Sequence, residues 1–223
     1  MKRLPVMLIL CFLIILGVLG CRNRQNNGGA VSDTHSNDEK TKPAICPSNP
    51  REVAIAEIER LGGRVRFEEK SADKLVYSVN FFKSSVTDDA LKNVEELKEL
   101  KVLILGFTKV TDAGLAHIEQ LSQLRGLDLM NTSVTDAGIK HIKSLCSLEF
   151  LTLDNTQLTD AGLEQIKNLT QLYLLGLMNK QVTDAGLDHL KELRNLRTLG
   201  TDGTKVTSAG RDELKRSLPN LND

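Results

Sequence analysis

The sequence predicts an α/β solenoid, a stack of short helix-and-strand units sharing one core. Three observations carry this. A six-residue phrase recurs at Val86, Val110, Val134, Leu158, Val182 and Val206, always 24 residues apart. A fixed period of that length marks a repeat architecture, in which each unit buries its apolar face only against its neighbours. Within each period the apolar residues fall first at a spacing of three and then at a spacing of two. The first spacing lines one face of a short helix and the second alternates as a strand does.

The N-terminus precedes the stack and has a different character. Lys2 and Arg3 are followed by an uncharged apolar run from Leu4 to Leu19, interrupted by Pro5 and Gly17. A basic region before an apolar run too short for a comfortable membrane span reads as an export signal, here residues 1–20. The run closes on Val18-Leu19-Gly20-Cys21, which resembles the lipobox of bacterial lipoproteins. That resemblance implies acylation of Cys21 and a membrane-anchored protein of the bacterial cell envelope. Leu19 is bulkier than the pattern usually prefers.

Residues 21–50 are rich in Asn, Ser, Gly and Pro and nearly free of aliphatic side chains. Such a segment buries too little apolar area to offset its ordering entropy and is expected to be a disordered tether. Loss of residues 1–20 removes Lys2 and Arg3, leaving 27 basic against 29 acidic residues, and no basic excess points to nucleic acid. Cys11 leaves with the signal. Cys46 and Cys146 remain, and their spacing decides neither for nor against a disulfide.

Residues 51–85 are expected to cap the first apolar edge of the stack. Ile55, Ile58 and Leu61 fall on one helical face and Gly62-Gly63 ends that helix. The stretches Val65–Glu68 and Leu75–Phe82 are rich in β-branched and aromatic residues and are expected to form strands. Val79 and Phe81 stand one period before Leu103 and Leu105, so the register begins inside the cap.

The repeats occupy residues 86–223. In the unit Val110–Ser133 the core positions are Val110, Leu115, Ile118, Leu121, Leu124, Leu127 and Leu129. Thr111 is placed as a helix N-cap, and Asp112 in the first turn is expected to favour the helix dipole. Gly114, Gly138, Gly162 and Gly186 come early in their helices, where close approach of the neighbouring unit is the reason to accept a poor helix former. His117, His141 and His189 share one column with Gln165. Equivalent positions of adjacent helices are about 8–10 Å apart at the axes, too far to share a metal without convergence, so they read as helix-surface residues.

The pattern L-x-x-L-x-L-x-x-T-x-V-T-D-A-G-L resembles the leucine-rich repeat, specifically its T-D-x-G-L subtype, known from F-box-associated repeats and exported bacterial proteins. The resemblance covers about residues 76–223. It implies a right-handed horseshoe of about six units, with a parallel sheet on the concave side and helices on the convex side. No F-box precedes the repeats, so ubiquitin chemistry is not carried over. The turn column reads Ser84, Thr108, Thr132, Thr156, Lys180 and Thr204, and Lys180 is expected to alter its turn.

The outward residues of the implied sheet flank the buried leucines. Ile104, Met130, Phe150, Leu174 and Met178 are expected to form an exposed apolar docking cluster for a protein partner, with Asp128, Thr152 and Asp154 among them. No triad order, phosphate loop or paired carboxylates in a pocket-forming context emerges, so neither enzymatic activity, a cofactor nor a metal is expected. The expected protein is a lipid-anchored, monomeric interaction module. The alternative is a structural or carbohydrate-contacting surface protein, which calls for a polar, aromatic-lined face.

Overall fold

The computed structural model describes residues 49–222, apart from positions 70 and 72. The export signal, Cys21, Cys46 and the tether up to residue 48 lie outside the described residues. The fold starts slightly before the expected tether boundary. Asn49 caps helix α1 (Pro50–Arg60), its side chain accepting from the Arg51 N–H at 3.0 Å, and Pro50 takes the first helical position, where its missing N–H costs nothing. Gly62 follows with φ of 84° and turns the chain into strand β1 (Arg64–Phe67), which runs antiparallel to β2 (Val76–Asn80).

From β2 onward the strands are parallel and in register one period apart. They are β3 (Val102–Ile104), β4 (Gly126–Asp128), β5 (Phe150–Thr152), β6 (Leu174–Gly176) and β7 (Thr198–Gly200). Leu103 pairs with Leu127, Leu127 with Leu151, and Leu151 with Leu175. The sheet has seven strands in chain order, six parallel ones and the antiparallel edge strand β1.

Between strands lie the short helices α2 (Asp89–Val94), α3 (Asp112–Leu115), α4 (Asp136–Ile139), α5 (Asp160–Ile166) and α6 (Asp184–Leu187), and α7 (Ser208–Ser217) follows β7. After α3 and α6 the chain tightens into 3₁₀ turns, Ala116–Ile118 and Asp188–Leu190. Three residues per turn is the period at which Leu115, Ile118, Leu121 and Leu124 recur, and all four are fully buried. Together with Leu103, Leu127, Leu151 and Leu175 from the strands they form one continuous core. Cys146 carries an exposed thiol.

The turns leaving the strands repeat as well. Lys83, Phe107, Asn131, Asn155 and Gly203 occupy one column and all have positive φ, between 52° and 75°. In four of these turns the hydroxyl of the next residue, Thr108, Thr132, Thr156 or Thr204, closes the turn: Thr132 Oγ1 donates to the Leu129 carbonyl at 2.7 Å, and Thr156 does the same to Leu153. Lys180 cannot, and the turn there is altered as expected. Asn179 leaves the left-handed conformation and buries its side chain, donating through Nδ2 to the Leu153 carbonyl at 2.8 Å and accepting from the Thr156 N–H at 2.9 Å.

Candidate functional site

The sheet has two faces. One carries the inward leucines of the core; the other carries the residues between them, and every candidate partner-binding residue lies there. In-register pairing orders them into rows: Val102, Gly126, Phe150, Leu174 and Thr198 form one, and Ile104, Asp128, Thr152, Gly176 and Gly200 a second. Continuing two residues beyond the strands gives a third, Gly106, Met130, Asp154, Met178 and Asp202.

The expected exposure of the apolar cluster is corrected by the structure. Ile104, Met130 and Leu174 are buried, Leu174 to 1% exposure, and Thr152 and Asp154 are buried as well. None of these three apolar residues belongs to the core cluster. In-register neighbours on adjacent parallel strands stand about 4.8 Å apart, so a side chain flanked on both sides retains little solvent access. Leu174 stands between Phe150 and Thr198 in this way. Phe150, Met178 and Asp128 are half-buried, and the Phe150 ring lies 6.2 Å from that of Tyr173, which is exposed.

Asp128 and Asp154 are set into the face. The Asp128 Oδ1 accepts from the Thr152 hydroxyl at 2.6 Å and from the Met130 N–H at 3.0 Å. Asp154 Oδ1 accepts from the Met178 N–H at 2.8 Å. Each carboxylate leans across a glycine of a neighbouring strand unit: a Cβ on Gly106 would stand 2.7 Å from Asp128 Oδ2, and one on Gly176 would stand 2.8 Å from Asp154 Oδ1. Burial raises the pKa of Asp154 to about 6, opposed by the Met178 N–H and assisted by the negative charges of Asp128 and Asp202. Burial likewise raises that of Asp128, against the Thr152 and Met130 hydrogen bonds.

At one end of the face Phe82 and Phe107 meet edge to face at 5.4 Å, and the Lys83 ammonium lies 5.4 and 5.6 Å from the two ring centroids. Phe107 is exposed and holds a φ of 60°, a conformation that disfavours a bulky side chain.

The recurrent Thr-Asp pair lies on the helix side, and its aspartate makes contacts that its position in the first turn does not suggest. Thr111, Thr135, Thr159, Thr183 and Thr207 each cap their helix, as expected; the Ala137 N–H donates to Thr135 Oγ1 at 3.1 Å, for example. The aspartates hydrogen-bond across to the next unit from the starts of their own short helices. Asp112 accepts from the N–H of Thr135 at 2.7 Å and from its hydroxyl at 2.6 Å. Asp88, Asp136, Asp160 and Asp184 hold Thr111, Thr159, Thr183 and Thr207 in the same manner. Glycine makes room: a Cβ on Gly114 would lie 2.5 Å from Asp88 Oδ1.

The histidine column also links units, with Nδ1 of His117 3.0 Å from Glu95 and that of His141 3.2 Å from Glu119. Among the described residues no group of three or more His, Cys, Asp or Glu is placed to hold a metal. Two shallow cavities, of about 200 and 430 Å³, lie among helical residues around Asp184 and Lys191 and around Lys143 and Glu164, away from the sheet face.

This arrangement overlays on known structures. An internalin from Listeria monocytogenes aligns with a TM-score of 0.55 and 28% identity, over 63% of this chain and 38% of its own. The fold is that of the leucine-rich repeat. A second L. monocytogenes protein, internalin C2, aligns at a TM-score of 0.52 and 24% identity, covering 78% of this leucine-rich-repeat chain and 84% of its own. The chain thus spans well under two thirds of the first internalin's length. No known family profile matches the sequence, and no curated protein does.

Proposed function

We propose that this leucine-rich-repeat chain is a non-enzymatic protein-interaction module, docking a protein partner on the outer face of its parallel sheet. The reading is carried by the face itself: three in-register rows of equivalent positions, mixing half-buried Phe150 and Met178 with buried polar groups, on the side of the sheet away from the core. The internalin likeness supports it at the level of a protein-interaction fold. In the finer form of the proposal the stack is a right-handed horseshoe of six units with this face concave. The chain is a monomer held at the bacterial envelope by acylated Cys21, with the following segment as a tether and residues 51–85 as cap.

Two measurements test this. Affinity capture from envelope extract by the full chain in detergent should retain a defined protein and lose it when Phe150→Asp and Met178→Asp are combined, with the melting temperature nearly unchanged. Retention that survives the double substitution would sink the docking face. Mass spectrometry of the expressed protein should find a lipid-modified Cys21 as the first residue, and Cys21→Ser should move the protein out of the membrane fraction.

A further inference from the structure

The outward face is electrically divided: its cations, Arg64 and Arg66 paired with Asn80 and Ser78 and Lys83 over Phe82, lie at the β1–β2 end, and its acids lie on or just beyond β4, β5 and β7. The chain as a whole has 29 basic and 29 acidic residues, yet the outward positions of the six parallel strands, with the residue two beyond each, include Asp128, Asp154 and Asp202 and no Lys or Arg. Moving a carboxylate out of water is costly, and proteins ordinarily compensate it with a cation and a full set of donors. Here the compensation stops half-way. Oδ1 of Asp128 and of Asp154 is satisfied by the donors already described, while Oδ2 of each accepts no hydrogen bond from a described residue. Asp202 is exposed and has no ion-pair partner among the described residues.

The surroundings suit a long cationic side chain. Met178 lies between Asp154 and Asp202 in the third row, so the two carboxylates stand two strands apart, roughly 10 Å, with a thioether between them. Met130 occupies the corresponding place beside Asp128 and Asp154. The aliphatic stem of an Arg or Lys covers apolar surface while its charged end reaches an acid, and a guanidinium presents several donors to a carboxylate at once. Gly176 and Gly200 leave the neighbouring row without side chains.

We propose that the outer sheet face receives a cationic segment of its protein partner, Arg or Lys side chains closing on Oδ2 of Asp128 and Asp154 and on Asp202 with their stems over Met130 and Met178. This rests on the docking-face reading and specifies the chemistry of what docks. The carboxylates of Asp128 and Asp154 are then this chain's half of an ion-pair set, held in place beforehand by glycine gaps and backbone donors.

The test uses the full chain in a non-ionic detergent and three fluorescein-labelled nonapeptides of alternating Ala with Arg, Gln or Glu. The Arg peptide should bind saturably at neutral pH and low salt, at least tenfold more tightly than the Gln peptide, with the Glu peptide weakest. Combining Asp154→Asn with Asp202→Asn should weaken the Arg peptide at least tenfold. The Asn at 154 still accepts from the Met178 N–H, so the melting temperature reports that the fold is kept. Neutralising two acids on the helix side, Asp188→Asn with Glu213→Gln, should leave binding unchanged. Equal binding of the Arg and Gln peptides, undiminished binding by the Asp154/Asp202 variant, or absence of saturable Arg-peptide binding would each overturn the proposal. If a captured partner depends on Phe150 and Met178 but not on the two aspartates, the docking face stands and its cationic specificity falls.

Discussion

The Asp112 carboxylate grips Thr135 by both its backbone N–H and its hydroxyl, at 2.7 and 2.6 Å, across the boundary between two repeats. The same grip recurs 24 residues on, where Asp136 takes Thr159 at 2.9 and 2.6 Å. Hydrogen bonds to a charged group contribute more than neutral ones, and a donor left without its acceptor costs more still. Replacing Asp136 with Ala removes both bonds to Thr159 at once. The expected loss is about 2–3 kcal/mol in chemical denaturation, with Asp136→Asn losing less because one acceptor oxygen remains.

Gly138 faces the same carboxylate, since Asp112 Oδ1 occupies the space a Cβ would need. In an isolated helix Gly→Ala stabilises by about 1 kcal/mol. Here the sign should reverse, with Gly138→Ala destabilising because the carboxylate must move. A double-mutant cycle with Asp112→Ala checks the cause: the two losses should be clearly less than additive, since removing the carboxylate frees the space. Strict additivity would separate the glycine from the aspartate.

Asp154 makes stability depend on pH in an unusual direction. Its folded-state pKa of about 6 lies above the ordinary 3.8. The folded state therefore holds the proton more tightly than the unfolded chain does. The stabilisation from this group is full below about pH 4 and is lost as pH rises through about 6. By the size of the shift this amounts to about 3 kcal/mol. Urea denaturation of Asp154→Asn at pH 4, 5, 6 and 7 should show this component gone and, at pH 7, a protein more stable than the parent.

The turn at Asn179 gives a contrast within one column. Asn179→Ala strips a buried side chain of its bonds to the Leu153 carbonyl and the Thr156 N–H and should cost about 1–3 kcal/mol. Asn155→Gly, at a φ of 54°, should be neutral or slightly stabilising because glycine takes that conformation freely. Thermal melts of the two variants side by side decide this; equal losses would mean that the turns are equivalent after all.

Periodicity made the stacked α/β units, the core leucines and the outward rows legible, because spacings of three and two translate directly into faces. It also pointed to the Lys180 turn. The exposure of Ile104, Met130 and Leu174 was not legible, since crowding by in-register neighbours depends on which side chains share a row, and rows exist only once strands pair. The role of the aspartates was written in the sequence less directly. The Asp column runs from Asp88 to Asp184 and the facing Gly column from Gly114 to Gly210, displaced by one unit. Ala90 stands where no carboxylate precedes it. That offset is the trace of a contact between units, whereas a role in the helix's own dipole would have placed both columns in the same repeats.

Because each Asp meets only the Thr and Gly of the next unit, the seams of the stack are interchangeable. Excising Val110–Ser133 would bring Asp88 opposite Thr135 and Gly138 in place of Thr111 and Gly114, the same chemistry at a new join. Tandem duplication of 24 residues would do the converse. Length can therefore change by whole units through unequal crossing-over without inventing a new seam, leaving the outward rows to be lengthened, shortened and re-coloured by mutation.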